Sequence, residues 1–172
     1  PYTTLFRSCE KWHIPIVEDA AESLGSFVAE KSTGSFGTIG VFSFNGNKII
    51  TTSGGGALIG NNKTFIEKAR FLATQARDSA PHYQHSEIGY NYRMSNVLAG
   101  IGRGQMKVLD SRVHTRRSIY QKYKDYFKDI KAIKFLDEPE DFFSNRWLTT
   151  ILINTDESNG IDREDIRLAL EK

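Results

Sequence analysis

Ile39-Gly40-Val41-Phe42-Ser43-Phe44 is β-branched and aromatic, and it breaks at Asn45-Gly46-Asn47-Lys48. The run reads as a strand and the break as a turn. Upstream, His13-Ile14-Pro15-Ile16-Val17 is short and apolar and turns acidic at Glu18-Asp19, which predicts a buried strand ending in carboxylates. Asp19 and Lys48 therefore each fall just past a strand. In α/β sheets, ligands sit beyond the carboxyl ends of strands, so this acid and this amine could face one crevice. A structural ion pair, or two unrelated solvated charges, would give the same spacing.

Working outward, Ala20 to Leu24 reads as a helical turn closed by Gly25, and residues 31–38 as a loop. Residues 49–60 hold a strand or hairpin interrupted by Gly54-Gly55-Gly56. A helix from Lys63 to about Gln75 would bury Phe65, Ala69 and Leu72. Residues 76–94 have no clean period; a long polar and aromatic loop in a compact domain is more often functional than idle. Ser95 reads as an N-cap, followed by helix to about Leu109 and again from Ser111 to about Ile130. The second helix spaces Ile119, Tyr123, Tyr126, Phe127 and Ile130 along one face. Gly100, Gly102 and Gly104 inside the first call for close packing, since each costs up to about 1 kcal/mol there. A strand near Ala132–Phe135, a stronger one at Trp147–Ile153 and a terminal helix from Ile161 complete the chain, with Trp147 expected in the core of a second domain. The class is α/β.

The 172 residues are 39% hydrophobic, 12% aromatic and 26% charged. That is enough apolar material for a sizeable core, and it excludes a disordered chain. Twenty-three basic residues against 21 acidic leave a net charge of +2, which argues against a nucleic-acid protein with a dominant basic surface. Interleaved acids on the basic 111–130 helix point to a solvated face. No apolar run approaches a membrane span. The lone Cys9 excludes an intramolecular disulfide framework and a cysteine-rich metal site; no metal is expected. The composition fits a soluble, cytoplasmic protein.

Ser43 could donate its hydroxyl to a phosphate, or simply bond to backbone as strand serines commonly do. The triple glycine permits close backbone approach, but no Gly-Lys-Ser/Thr follows, so it is not a Walker loop. Three segments then stand together. Val17-Glu18-Asp19-Ala20-Ala21-Glu22-Ser23-Leu24-Gly25 resembles the aspartate motif of sugar-nucleotide aminotransferases of the DegT/StrS type. Phe42-Ser43-Phe44-Asn45-Gly46-Asn47-Lys48-Ile49-Ile50-Thr51-Thr52-Ser53-Gly54-Gly55-Gly56 looks like that family's lysine motif. Ile88-Gly89-Tyr90-Asn91-Tyr92-Arg93-Met94-Ser95 is similar to its third signature. Order and spacing agree, and the resemblance covers Cys9 to Lys172.

The resemblance implies a pyridoxal-phosphate enzyme of the aspartate-aminotransferase fold (fold type I), a homodimer with a shared active site. Lys48 would form the Schiff base with the cofactor aldehyde and later shuttle protons. Asp19 would pair with the pyridine nitrogen and keep the ring an electron sink. Glu22 would lie against the ring, where relatives often carry Gln or His. Ser43 would bind the cofactor phosphate, and Asn91 the phosphate of the neighbouring subunit. Related sugar dehydratases carry histidine in place of the lysine, so Lys48 implies amino transfer, from L-glutamate to a nucleotide-linked keto-sugar. The Asn45–Lys48 run and the 75–85 loop look most like C4 aminotransferases acting on UDP-linked 4-keto-6-deoxy-N-acetylhexosamines. A pyrophosphate-bearing substrate wants cationic donors, and Arg77, His82, His85 and Arg93 are the candidates; each also has a plain surface or packing reading. A C3 aminotransferase of the same family and a non-catalytic nucleotide-sugar-binding relative are the rival readings.

Both ends are abrupt. Read in codons, CCC-TAC-ACG-ACG-CTC-TTC-CGA-TCT gives Pro1–Ser8 and matches a common sequencing-adapter end, so residues 1–8 are expected to be adapter read-through on a gene fragment. The expected division is residues 9–131 as part of a large cofactor-binding, mixed-sheet domain and residues 132–172 as the start of a small α+β domain. On that division the pocket is incomplete and the 172-residue chain weak or inactive alone.

Overall fold

A computed structural model describes residues 2–171, with side chains from Thr4 onward; Pro1 and Lys172, the outer ends of the two terminal stretches above, lie outside the described residues. The order is α1 (Tyr2–Lys11), β1 (Val17–Asp19), β2 (Phe27–Val28), β3 (Lys31–Ser32), β4 (Ile39–Ser43), β5 (Gly56–Ile59), α2 (Lys63–Ala73), α3 (Asn96–Met106), α4 (Leu109–Tyr126), β6 (Ile133–Phe135), β7 (Phe142–Phe143), β8 (Ile151–Ile153) and α5 (Arg163–Leu170). The α/β class holds.

One mixed sheet carries the chemistry. β1 runs parallel to β4 with Asp19 opposite Val41, and β5 returns antiparallel on the other side of β4, with Gly56 opposite Ser43. The carboxyl ends of β1 and β4 therefore meet at one sheet edge. Gly40 permits this packing: a Cβ there would lie 2.0 Å from the Gly34 carbonyl oxygen. A second sheet, in the order β3-β2-β7, pairs Phe27 with Phe143. It brings a segment from beyond residue 140 back onto the first third of the chain. β6 and β8 form a separate antiparallel pair.

Several expectations change. The first strand is not 13–17 but Val17–Asp19, because the Ile14 N–H closes the end of α1 on the Cys9 carbonyl at 2.8 Å and His13 takes a positive φ of 53°. Ile14 and Val17 are exposed rather than buried. Residues 49–55 form no strand; β5 alone occupies the predicted hairpin. α2 stops at Ala73, since Gln75 and Ala76 adopt positive φ, and Phe65 is exposed while Ile66 and Ala69 share a groove with Ala57 and Leu58. Of the three helix glycines, only Gly102 has a close neighbour, the Thr52 methyl at 3.0 Å; Gly100 and Gly104 face open space. α4 buries Val113 and Tyr120, and leaves the predicted stripe of Ile119, Tyr123, Tyr126 and Ile130 exposed. The final strand starts at Ile151, and Trp147 lies outside it.

The caps follow local chemistry. The Ser95 hydroxyl accepts the Leu98 N–H, as expected of an N-cap. Asp162 and Asp165 form a reciprocal capping box on α5. Among the described residues, no helix is long and apolar enough to cross a membrane.

The 136–146 segment is fastened to α4 by charge. Arg117 grips Glu138 with both terminal nitrogens, at 2.6 and 3.0 Å. Arg146 stacks over Tyr120 at 3.8 Å and donates to the Leu136 carbonyl. Burial works against the Glu138 charge, but the Arg117 hydrogen bonds, the Ser144 N–H and the charges of Arg117 and Arg146 outweigh it and hold the carboxyl below its ordinary range. A carboxyl that titrates lower folded than unfolded adds stability above its unfolded pKa and loses it as pH falls through the folded one. Glu138→Gln should therefore lower the thermal midpoint at pH 7 by about 3–10 °C. The gap to wild type should close as the pH falls below the usual carboxylate range, which calorimetry across pH would show.

Candidate active site

β4 ends at Ser43, and the chain makes a closed excursion before β5. Its base is tied by the Phe44 N–H to the Gly55 carbonyl and by the Thr52 N–H to the Phe44 carbonyl, both at 2.9 Å. At the tip, the Lys48 N–H closes a turn on the Asn45 carbonyl at 3.1 Å. Ile49 and Ile50 then plunge into the core, where Ile50 is only 2% exposed, against Val113, Leu24, Phe44 and Leu109. Gly25 lets Leu24 come so close: its φ is +83° and a Cβ would sit 2.8 Å from a Val113 methyl. Each fully buried isoleucine is worth roughly 2–3 kcal/mol, so the backbone on one side of Lys48 is anchored.

The Lys48 side chain stays at the rim, 12% exposed. Its Nζ lies 3.2 Å from Glu22 Oε1 and 4.3 Å from the centre of the Trp147 ring. The pairing of the aspartate-motif and lysine-motif segments is thus direct, through Glu22. Asp19 stands at the carboxyl end of β1, exposed, its Oδ1 accepting the Ala21 N–H at 3.1 Å. Ser43, at the parallel end of β4, accepts the Asn45 N–H at 3.3 Å; that bond leaves the hydroxyl proton uncommitted. Asp19 and Ser43 thus end neighbouring parallel strands and Lys48 follows Ser43 by five residues, a set of groups that suits a pyridinium, a phosphate and an aldehyde.

Glu18 is not part of that set. It turns inward and accepts the N–H groups of Gly34 at 2.9 Å and Gly37 at 2.5 Å, locking the loop that leads into β4.

Apart from Arg93, the candidate residues of the 76–94 loop bond within it or to the end of α2 beside it. Arg77 stacks on Tyr83 at 4.2 Å, His82 bonds the Gln84 side chain at 3.2 Å, and His85 bonds the Gln75 carbonyl at 2.8 Å. Arg93 lines a groove with Val41, Phe42 and Met94. Asn91 forms an isolated bridge with Thr74, which pins the end of the loop to the end of α2. The two partners given above for the Lys48 amine come from elsewhere. Among the described residues no cluster of three His, Cys, Asp or Glu side chains could hold a metal.

Sequence reasoning missed the 145–147 segment. Asn145 is 3% exposed. Its Nδ2 donates to the Glu22 and Leu24 carbonyls at 2.9 and 3.0 Å, its N–H donates to Ser26 Oγ, and its Oδ1 accepts the Trp147 N–H. Trp147 Nε1 donates to the Asn47 carbonyl. Asn145 and Trp147 carry no local signal for this, because apart from their bond to each other these partners lie 100 or more residues away.

The fold defines a class first. It superposes on the Helicobacter pylori aminotransferase PseC, described as involved in pseudoaminic acid biosynthesis, with a TM-score of 0.81 and 26% identity over 88% of this chain and 41% of that one. The chain thus has part of the architecture of an aminotransferase. Residues 3–172 match the DegT/DnrJ/EryC1/StrS aminotransferase family, and the chain belongs to it. It is 54% identical over 95% of its length to EpsN of Bacillus subtilis (strain 168), named as a pyridoxal phosphate-dependent aminotransferase, covering 42% of that protein. It is 37% identical over 88% of its length to the GDP-perosamine synthase of Escherichia coli O157:H7, covering 40% of it. The chain thus spans about two fifths of the length of these relatives.

Asn145→Ala should leave two part-buried carbonyls without this donor and cost about 1–3 kcal/mol, measured by denaturant unfolding. Asn145→Asp should not restore it, since a carboxylate cannot donate to those carbonyls.

Proposed function

We propose that this chain carries the lysine-bearing part of a pyridoxal-phosphate-dependent aminotransferase that moves an amino group from L-glutamate to a nucleotide-linked 4-keto-6-deoxy sugar. The observation that carries the reading is the Lys48 amine, sheltered at the rim of the core against Glu22, beyond the strand ends that bear Asp19 and Ser43. Family membership and the similarity to EpsN support it.

The residues present fit the cofactor. Bound pyridoxal phosphate supplies a sink for the electron pair left when a proton is removed beside nitrogen. Lys48 Nζ holds the cofactor and then carries that proton. Asp19 keeps a positive charge on the ring nitrogen. Glu22 fixes the Lys48 amine from one side. Ser43 donates to the phosphate, and Asn91 donates to the phosphate of a second subunit, so the working unit is a homodimer. Stacking on Tyr83 occupies the Arg77 face and leaves its N–H edge for an anion. Arg77, Arg93, His82 and His85 are accordingly assigned to the sugar's pyrophosphate. Residues 9–131 are assigned to the large domain and residues 132–172 to the start of the small one, with β7 reaching back to pair with β2.

The 45–48 and 75–85 segments favour a UDP-linked N-acetyl sugar, while the similarity to a GDP-perosamine synthase favours a GDP-linked one. The test is to express the full-length protein, incubate it with pyridoxal phosphate, reduce with borohydride and map the added mass. The expected result is cofactor on the Lys48 peptide, lost in Lys48→Ala, with glutamate-dependent amination of UDP- or GDP-linked 4-keto sugars falling by at least about a hundredfold in that variant. A folded protein that takes up no cofactor would overturn the reading. Amination of 3-keto sugars alone would move it to C3.

A further inference from the structure

Trp147 is tied at both ends. Its backbone N–H is held by Asn145 Oδ1 at 2.9 Å, and its indole N–H by the carbonyl of Asn47, the residue before Lys48. Asn145 is in turn bonded to the carbonyls of Glu22 and Leu24. One short segment therefore fixes the lysine turn and the Glu22 turn together. The indole face covers the Lys48 ammonium at 4.3 Å, and Glu22 meets it at 3.2 Å. Lysine has a flexible four-carbon stem. Yet this one is withdrawn to 12% exposure although Asn45, Gly46 and Asn47 beside it are exposed. An aromatic face and a carboxylate are what would hold a cation there.

We propose that Trp147 is a positioning residue for Lys48, giving the unattached ammonium a fixed resting place between the indole face and the Glu22 carboxylate. The inference rests on the aminotransferase reading, in which Lys48 alternates between attached and free. On attachment the ammonium gives a proton to solvent, Nζ bonds to the aldehyde carbon, and the aldehyde oxygen leaves as water. The indole face stabilises the side of that equilibrium on which Lys48 is free. Removing the face should therefore tighten attachment, whereas loss of a merely structural residue would loosen it.

The test is a titration of the full-length protein with pyridoxal phosphate, followed by visible absorbance, in wild type, Trp147→Phe, Trp147→Leu and Lys48→Ala. Trp147→Leu should bind about three- to tenfold more tightly, and Trp147→Phe, which keeps a weaker ring but loses the indole N–H bond to Asn47, should fall between it and wild type. Equal or weaker binding by Trp147→Leu would overturn the proposal. Should Trp147→Leu fail to fold by thermal melt, Trp147→Met takes its place. A second readout needs no cofactor: acylation of Lys48 by an acetylating ester, read by mass spectrometry against the exposed Lys63. Lys48 should react faster in Trp147→Leu than in wild type or Trp147→Phe. If wild type takes up no cofactor, the aminotransferase reading falls, and the acylation rates alone decide the role of Trp147; equal rates in all three proteins would overturn it.

Discussion

Burial of Ile49 and Ile50 is the constraint from which the site follows. Two isoleucines in immediate succession are drawn into the same core by Val113, Leu24 and Leu109. That drags residue 48 to the edge of the core without admitting it. An amine placed there has an apolar floor, a short tether and room for only a few partners. The loop base at Phe44, Thr52 and Gly55 keeps the tether from unravelling. The sheet then adds its own direction: β1 and β4 run parallel, so Asp19 and Ser43 end where the lysine begins.

What the sequence reveals about this site depends on how local the interaction is. The 45–48 turn and the Ser95 cap are decided by neighbours within four residues, and β4 carries its β-branched and aromatic run in the chain itself, so all three are legible as composition and spacing. β1 is displaced because a competing local bond, Ile14 to Cys9, ends the preceding helix further along than the apolar pattern suggests. The three glycines of α3 illustrate the opposite error: cost per glycine is legible, but which one has a neighbour is a tertiary fact.

Carboxylates show the same divide. Glu18, Asp19 and Glu22 lie within five positions, and nothing in the string separates them. The structure gives them three jobs by geometry alone: Glu18 clamps the Gly34 and Gly37 N–H groups, Asp19 stands at the strand end, and Glu22 meets the lysine. Strand alternation accounts for Glu18 and Asp19 pointing apart. Glu22 needs the turn through Ala20 and Ser23, and the lysine loop, before its partner exists. Asn145 and Trp147 are further still from legibility, since their part in the site lies in contacts with residues 22–26, 47 and 48.

That separation gives the pocket a history in time. Trp147 reaches Asn47 across 100 positions of chain. At roughly 5–20 residues per second, a ribosome needs about 5–20 s to supply them. Throughout that interval the lysine turn has been synthesised and its indole cover has not. Lys48 therefore cannot meet its indole cover until residue 147 has been synthesised, long after the strand ends that bear Asp19 and Ser43 are already in the chain.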